Sequence, residues 1–265
     1  MKKLTLALAA LLLTAAAAGA AVPPDVAEYG KRIEQFPATQ GQGSESERLK
    51  KLFGLLWDFQ MHASPEYATF VGYPGLNDRW SDLSPESIEF GRRMDHVVET
   101  ALASIDRAKL AAPEQVNYDL AMRHVREAIE GEPFHGEYLL ITQVSGPQQN
   151  IPQLLSIMPA RSLKDYEDIL ARLRGVPGVV DQTIALLDRG LKEGITPPRV
   201  TLRDVPGQVE SLLVDDPLKS PMLKAFRKFP DAVSAADRER LTREAVAAFK
   251  DQVAPAVRKL HGYLA

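Results

Sequence analysis

Apolar residues return at spacings of three and four along most of this chain, the signature of amphipathic helices. Val26, Tyr29, Ile33 and Phe36 mark one such face, and Leu49, Leu52, Phe53, Leu56 and Phe59 mark another within 47–62. A polar break over 40–46 separates them. The stretch 64–85 departs from the pattern: Pro65, Gly72, Pro74, Gly75 and Pro85 interrupt regular structure, while Tyr67, Phe70, Tyr73 and Trp80 call for burial. A short helix over 65–71 and then an ordered loop packed down by its own aromatics are expected. Ser84 caps a helix that runs to about Leu110, burying Ile88, Val97, Val98, Ala101, Leu102 and Ile105. Its hairpin partner opens at Pro113, turns Val116, Leu120, His124 (or Ala121), Val125 and Ile129 inward, and stops at Gly131 and Pro133.

Residues 134–146 read as mainly irregular, since one short apolar run, Tyr138-Leu139-Leu140-Ile141, makes no sheet. Helical signals resume over 148–157, over 163–173 behind a Ser162/Asp165 capping box, and over 177–193 up to Gly194. Further helices are expected at 204–213 and 217–226. A last one, capped by Ser234 with Asp237, buries Leu241, Ala245, Phe249, Val253, Val257 and Leu260, and Pro255 should kink it. The class expected is all-α, an antiparallel bundle-like helical array with ordered Pro/Gly-rich loops. The long apolar face of the last helix requires either packing back on this domain or a further segment to cover it.

The first twenty residues carry a different pattern. Lys2 and Lys3 precede an apolar run of about 15 residues, too short to span a bilayer, and Ala18-Gly19-Ala20 offers a small-residue cleavage site. That order is a secretory signal peptide. Residues 1–20 are the expected leader, 21–265 the helical domain, and the location exported, periplasmic or secreted. Cleavage takes Lys+Arg from 32 to 30 against 35 acids, a net charge of −5. An acidic surface argues against nucleic acid and against a polybasic membrane contact. The chain has no cysteine, which removes thiolate nucleophiles, thiolate metal ligands, disulfides and lipid attachment through an N-terminal cysteine.

Candidate chemistry is sparse. The histidines are His62, His96, His124, His135 and His261, no two of them three to five residues apart, and His-Glu-x-x-His is absent. His124 reads as a core histidine; His96 and His261 read as helix-surface residues. The sequence lacks a Gly-x-Ser-x-Gly elbow and a phosphate loop. The acids Asp165, Glu167 and Asp168, and the pair Asp215-Asp216, sit where helix starts favour them. No catalytic residue, metal ligand or cofactor is assigned. Two polar and aromatic loops are candidates for lining a cleft: Tyr73, Asn77, Arg79 and Trp80 in one, Gln143, Gln148 and Asn150 in the other. They serve equally well to satisfy their own backbone.

Several motifs in order resemble a known family. Ser64-Pro65-Glu66-Tyr67-Ala68-Thr69, Gly72 and Trp80-Ser81-Asp82-Leu83-Ser84 are followed by Ile105-Asp106, Leu110 and Tyr118-Asp119-Leu120. Gln143-Val144-Ser145-Gly146-Pro147 before Pro152, the run from Tyr166 to Leu173, Gly190, Gly194-Ile195-Thr196-Pro197-Pro198 and Gln208 continue the register. This is similar to the bacterial domain-of-unknown-function 885 family over roughly residues 45–265. The resemblance implies a largely helical exported protein of the zincin-like metallopeptidase clan. It also implies a zinc-binding His-Glu-x-x-His helix in a later half that this sequence does not include. No residue here inherits a zinc-ligand or general-base role.

The expectation that follows is the N-terminal, cleft-wall part of an exported zinc metallopeptidase-like hydrolase, itself without the zinc site. Zinc then belongs only to a full-length relative, and the absent half packs on the last helix. The alternative is a stand-alone exported module that binds a peptide or small ligand without catalysis. A metal-independent site dispersed over His62, His124 and His135 finds no support in the spacing.

Overall fold

The computed structural model describes residues 22–265, so the expected leader lies outside the described residues. Eleven α-helices, joined by 3-10 turns and loops, make up these residues: α1 (Pro24–Glu34), α2 (Glu45–Ala63), α3 (Pro65–Val71), α4 (Pro85–Ala103), α5 (Ala112–Gly131), α6 (Pro147–Ile157), α7 (Leu163–Glu193), α8 (Arg199–Leu202), α9 (Val205–Glu210), α10 (Ala235–Ala248) and α11 (Ala254–Leu264). The class is all-α. No strand occurs among the described residues, where Thr142 and Ser145 form an isolated bridge.

Local chemistry accounts for the helix starts. Ser44 and Glu47 exchange hydrogen bonds in a capping box at α2, and Ser162 and Asp165 do so at α7. Ser84 accepts from the Ser87 N–H at α4, and Ser234 from the Asp237 N–H at α10. Asp82 steadies the first of these by accepting from the N–H and hydroxyl of Ser84 and the hydroxyl of Ser87.

The helices bury two main apolar cores. One, from α1, α2, α4 and α5, is built on Ile33, Phe36, Leu52, Met94, Leu102 and Val125. The larger gathers Ile151, Leu155, Tyr166, Leu173, Val180, Val209, Leu223, Leu241, Phe249 and Leu260 from α6, α7, α9, α10, α11 and the turns between them. A small third cluster, Met61, Ala68 and Leu76, seats α3 against α2.

Several expected elements come out differently. The helices expected at 163–173 and 177–193 are one continuous α7 of 31 residues with Pro177 inside it. Leu173, Val176 and Val180 present one unbroken buried stripe across the proline, and that burial outweighs the backbone bond lost at its nitrogen. Residues 217–227 form 3-10 turns rather than an α-helix. α4 ends at Ala103, and a 3-10 turn over Arg107–Lys109 precedes Leu110. The inward face of α5 is shifted: Met122 and Val125 are buried, Tyr118, Ala121 and Ile129 pack beside them, and Val116, Leu120 and His124 are exposed. Pro255 is met by a widened π-turn over Phe249–Val253, in which the Ala254 N–H reaches the Phe249 carbonyl. The apolar face beyond it packs back on α7 and α9, with Val257 and Leu260 in the larger core.

Candidate functional site

A cleft of about 490 Å³ opens where α3, the 80–83 segment, α6 and the middle of α7 converge. Pro65 starts α3 and sets the phase of that short helix, putting Glu66, Tyr67 and Phe70 on the cleft side. Gly146, at φ +121°, lets the chain turn into α6, which contributes Asn150, Ile151, Gln153, Leu154 and Ile157. α7 adds Val179 and Thr183. The walls are mainly apolar and aromatic, as in sites for small organic ligands. Tyr67, Phe70 and Ile157 remain well exposed, Phe70 at 69%. Burial of these aromatics was the expectation; instead they form the rim, and Trp57 lies edge-on to Tyr67 at 6.5 Å.

Trp80 is held from behind. Its indole N–H donates to the Arg172 carbonyl at 2.9 Å, and the Arg172 guanidinium lies 5.4 Å from the ring centroid. Arg172 is wholly buried. It donates to the carbonyls of Pro65, Leu76 and Arg79 and to the Thr69 hydroxyl, tying α7 to both ends of the α3 loop. Burial lowers its guanidinium to about 10, against the pull of Glu66, Asp78 and Asp168, so it stays charged at neutral pH. Glu66 is oriented by the backbone N–H and the hydroxyl of Ser81.

Of the residues expected to line a cleft, Trp80 and Asn150 do so here. The others are spent on the scaffold. Tyr73 donates to Asp58 at 3.1 Å; burial and that carboxylate raise its phenol. Asn77 accepts from the Thr69 hydroxyl at 2.7 Å. The Gln143 side chain donates to the Val200 carbonyl, and its own carbonyl accepts from Gln149 and Gln208. Gln148 is buried and donates to the carbonyls of Thr142 and Ser145. Arg79 pairs with Asp25 at 2.8 Å beside a smaller cavity of about 200 Å³, where Asp25 also meets Nδ1 of His62 at 2.7 Å. Burial raises the Asp25 carboxyl, but His62, Arg79 and the Val26 N–H outweigh it and hold it below its usual value. A third, polar cavity of about 320 Å³ holds Arg92, His135 and Glu137. Glu66, Tyr67, Phe70 and Gln153 escaped the sequence reading. Tyr67 and Phe70, one helical turn apart, carry the same signal as a buried face.

Among the described residues no three His, Asp or Glu side chains gather to hold a metal ion. No described helix is long and apolar enough to cross a membrane. The cleft offers shaped apolar walls, a fixed carboxylate and a few neutral polar groups.

A family profile described as "Bacterial protein of unknown function (DUF885)" matches residues 65–265. Among curated proteins there is no match. A crystal structure from Colwellia psychrerythraea, described as that of a candidate lipoprotein, has a similar fold, with a TM-score of 0.69 at 16% identity. The similarity covers 89% of this chain and 41% of that one, so this chain spans well under half the length of its structural relative.

Proposed function

The chain belongs to the DUF885 family of bacterial proteins of unknown function, and on that premise we propose that it is the cleft-bearing helical portion of an exported hydrolase related to the zinc metallopeptidases, with a part that is to bind rather than to cleave. The observation that carries the reading is the aromatic-rimmed cleft, lined by this chain's own α3, α6, α7, the 80–83 segment and Leu140. The greater length of the structural relative supports a larger whole, and the leader-like first twenty residues support export.

The described residues do not furnish a zinc donor set, so no chemical step is assigned to them. Their contribution is to seat a ligand. Ile151, Leu154 and Ile157 take its apolar part, Trp80 and Tyr67 offer flat faces, and Asn150 and Gln153 supply hydrogen bonds.

The test is the intact mass of the mature protein purified from its native host. A mass well above that of residues 21–265 is expected, together with peptidase activity that a chelator removes. A mass equal to residues 21–265 sinks the hydrolase reading and leaves the second one, an exported binding module, which the self-contained cleft favours.

A further inference from the structure

We propose that the cleft selects an amphiphilic cation, a ligand with an apolar body and a single ammonium head; this rests on the reading of the cleft as a binding site. Glu66 is the one charged residue among those lining it, and it lies with Tyr67, Phe70 and Trp80 around the same space. Its carboxylate is fixed by the N–H and hydroxyl of Ser81. Those two bonds orient the group without neutralising it, and a carboxylate can accept about four. Glu66 forms no ion pair among the described residues within 4.0 Å.

The nearby cation is Arg172, whose positive charge Glu66 helps to hold, but no hydrogen bond or ion pair within 4.0 Å joins the two, so the carboxylate keeps acceptor sites free. Arg172 is wholly buried against Trp80, donates to three carbonyls and a hydroxyl, and shares its field with Asp78 and Asp168 as well as Glu66. A neutral ligand filling the cleft strips water from Glu66 and returns nothing; an anion adds repulsion. An ammonium head pairs with the carboxylate and lies against aromatic faces, where a cation is attracted by the ring quadrupole. Aromatic residues beside one acid suit primary and quaternary ammonium alike. The aliphatic wall of Ile151, Leu154 and Ile157 then takes the body of the ligand.

The experiment uses the full-length exported protein and four probes of equal chain length below their micelle concentrations: decylamine, decyltrimethylammonium, decyl sulfate and decyl maltoside. Binding is followed by calorimetry and by tryptophan fluorescence, since Trp80 lines the cleft and Trp57 touches its rim. Both cations should bind about tenfold more tightly than the maltoside, with the sulfate weaker still. Glu66→Gln should abolish that preference, weakening both cations and, because no charge is then stripped of water, tightening the maltoside. Its circular dichroism and unfolding midpoint confirm that it folds. Tyr67→Leu, at an exposed position, should weaken the cations more than the maltoside. A tighter decylamine complex identifies an amine head, and a tighter decyltrimethylammonium complex a choline-like one. Equal binding of sulfate and cations, or a cation preference that survives Glu66→Gln, overturns the inference and leaves the cleft reading intact. Failure of all four probes to bind overturns the cleft reading itself.

Discussion

Arg172 carries a full charge where no water reaches it, and its cost is partly offset by hydrogen bonds to three carbonyls and a hydroxyl, which leave its Nη1 without a partner. Arg172→Met keeps the volume but removes the donor that the Leu76 and Arg79 carbonyls share and loosens the 76–84 segment from α7. It should destabilise the protein by roughly 3–5 kcal/mol, read as a lower urea midpoint at unchanged slope. Asp25 is the opposite case, a partly exposed group whose folded acidity is greater than its unfolded acidity. Stability from such a carboxylate is fully present above its unfolded pKa and is lost as pH falls through the lower folded value. Asp25→Asn should therefore melt below the parent at neutral pH, and the two melting temperatures should converge as the pH falls below the usual carboxylate range. Neither role was legible beforehand. Arg172 sits among acids and leucines in an ordinary helical stretch, and its acceptors come from a loop about a hundred positions away in sequence.

Helix starts were legible because they are local. Ser84, Ser162 and Ser234 each bond within three residues, so the spacing alone identifies them, whereas Ser44 caps α2 from inside a stretch that reads as a polar break. Helix faces were less so. α5 offers two apolar stripes, Val116 with Leu120, and Met122 with Val125, and periodicity does not say which one meets α4. Tertiary contact selects the second. Leu120→Lys should accordingly change the unfolding free energy by no more than about 0.5 kcal/mol, whereas Met122→Ala should cost roughly 2–4 kcal/mol. Paired chemical denaturation curves would expose a misphased helix if the two effects were reversed. The fusion of two expected helices into α7 follows the same logic. A proline predicts a boundary from local geometry, but a stripe buried on both sides of it holds the helix together.

At the scale of the molecule, the two cores are joined through the 76–84 segment laid on α7. Arg172 and Gln182 fasten it, the latter through the Leu83 N–H and Asp82. Trp80 reaches α7 only because position 175 has no side chain: a methyl there would lie 2.7 Å from Trp80 Cδ1. Gly175→Ala should displace the indole, shift tryptophan emission and weaken cleft binding, at a cost of about 1–3 kcal/mol in stability. Unchanged emission and unchanged binding would disconnect Trp80 from the cleft. The all-α class, most of the capped starts, most helix spans and a family membership carried by motifs in order could be read from the chain, because each of these is written in short-range spacing. Packing between distant segments selects which stripe of α5 is buried, carries α7 through its proline and sets where the cleft lies. It sent Tyr73, Asn77, Gln143 and Gln148 to the scaffold and brought Glu66, Tyr67 and Phe70 to the opening. Those outcomes depend on which distant surfaces meet, and a side chain's partners across a hundred residues leave no trace in the spacing of its neighbours.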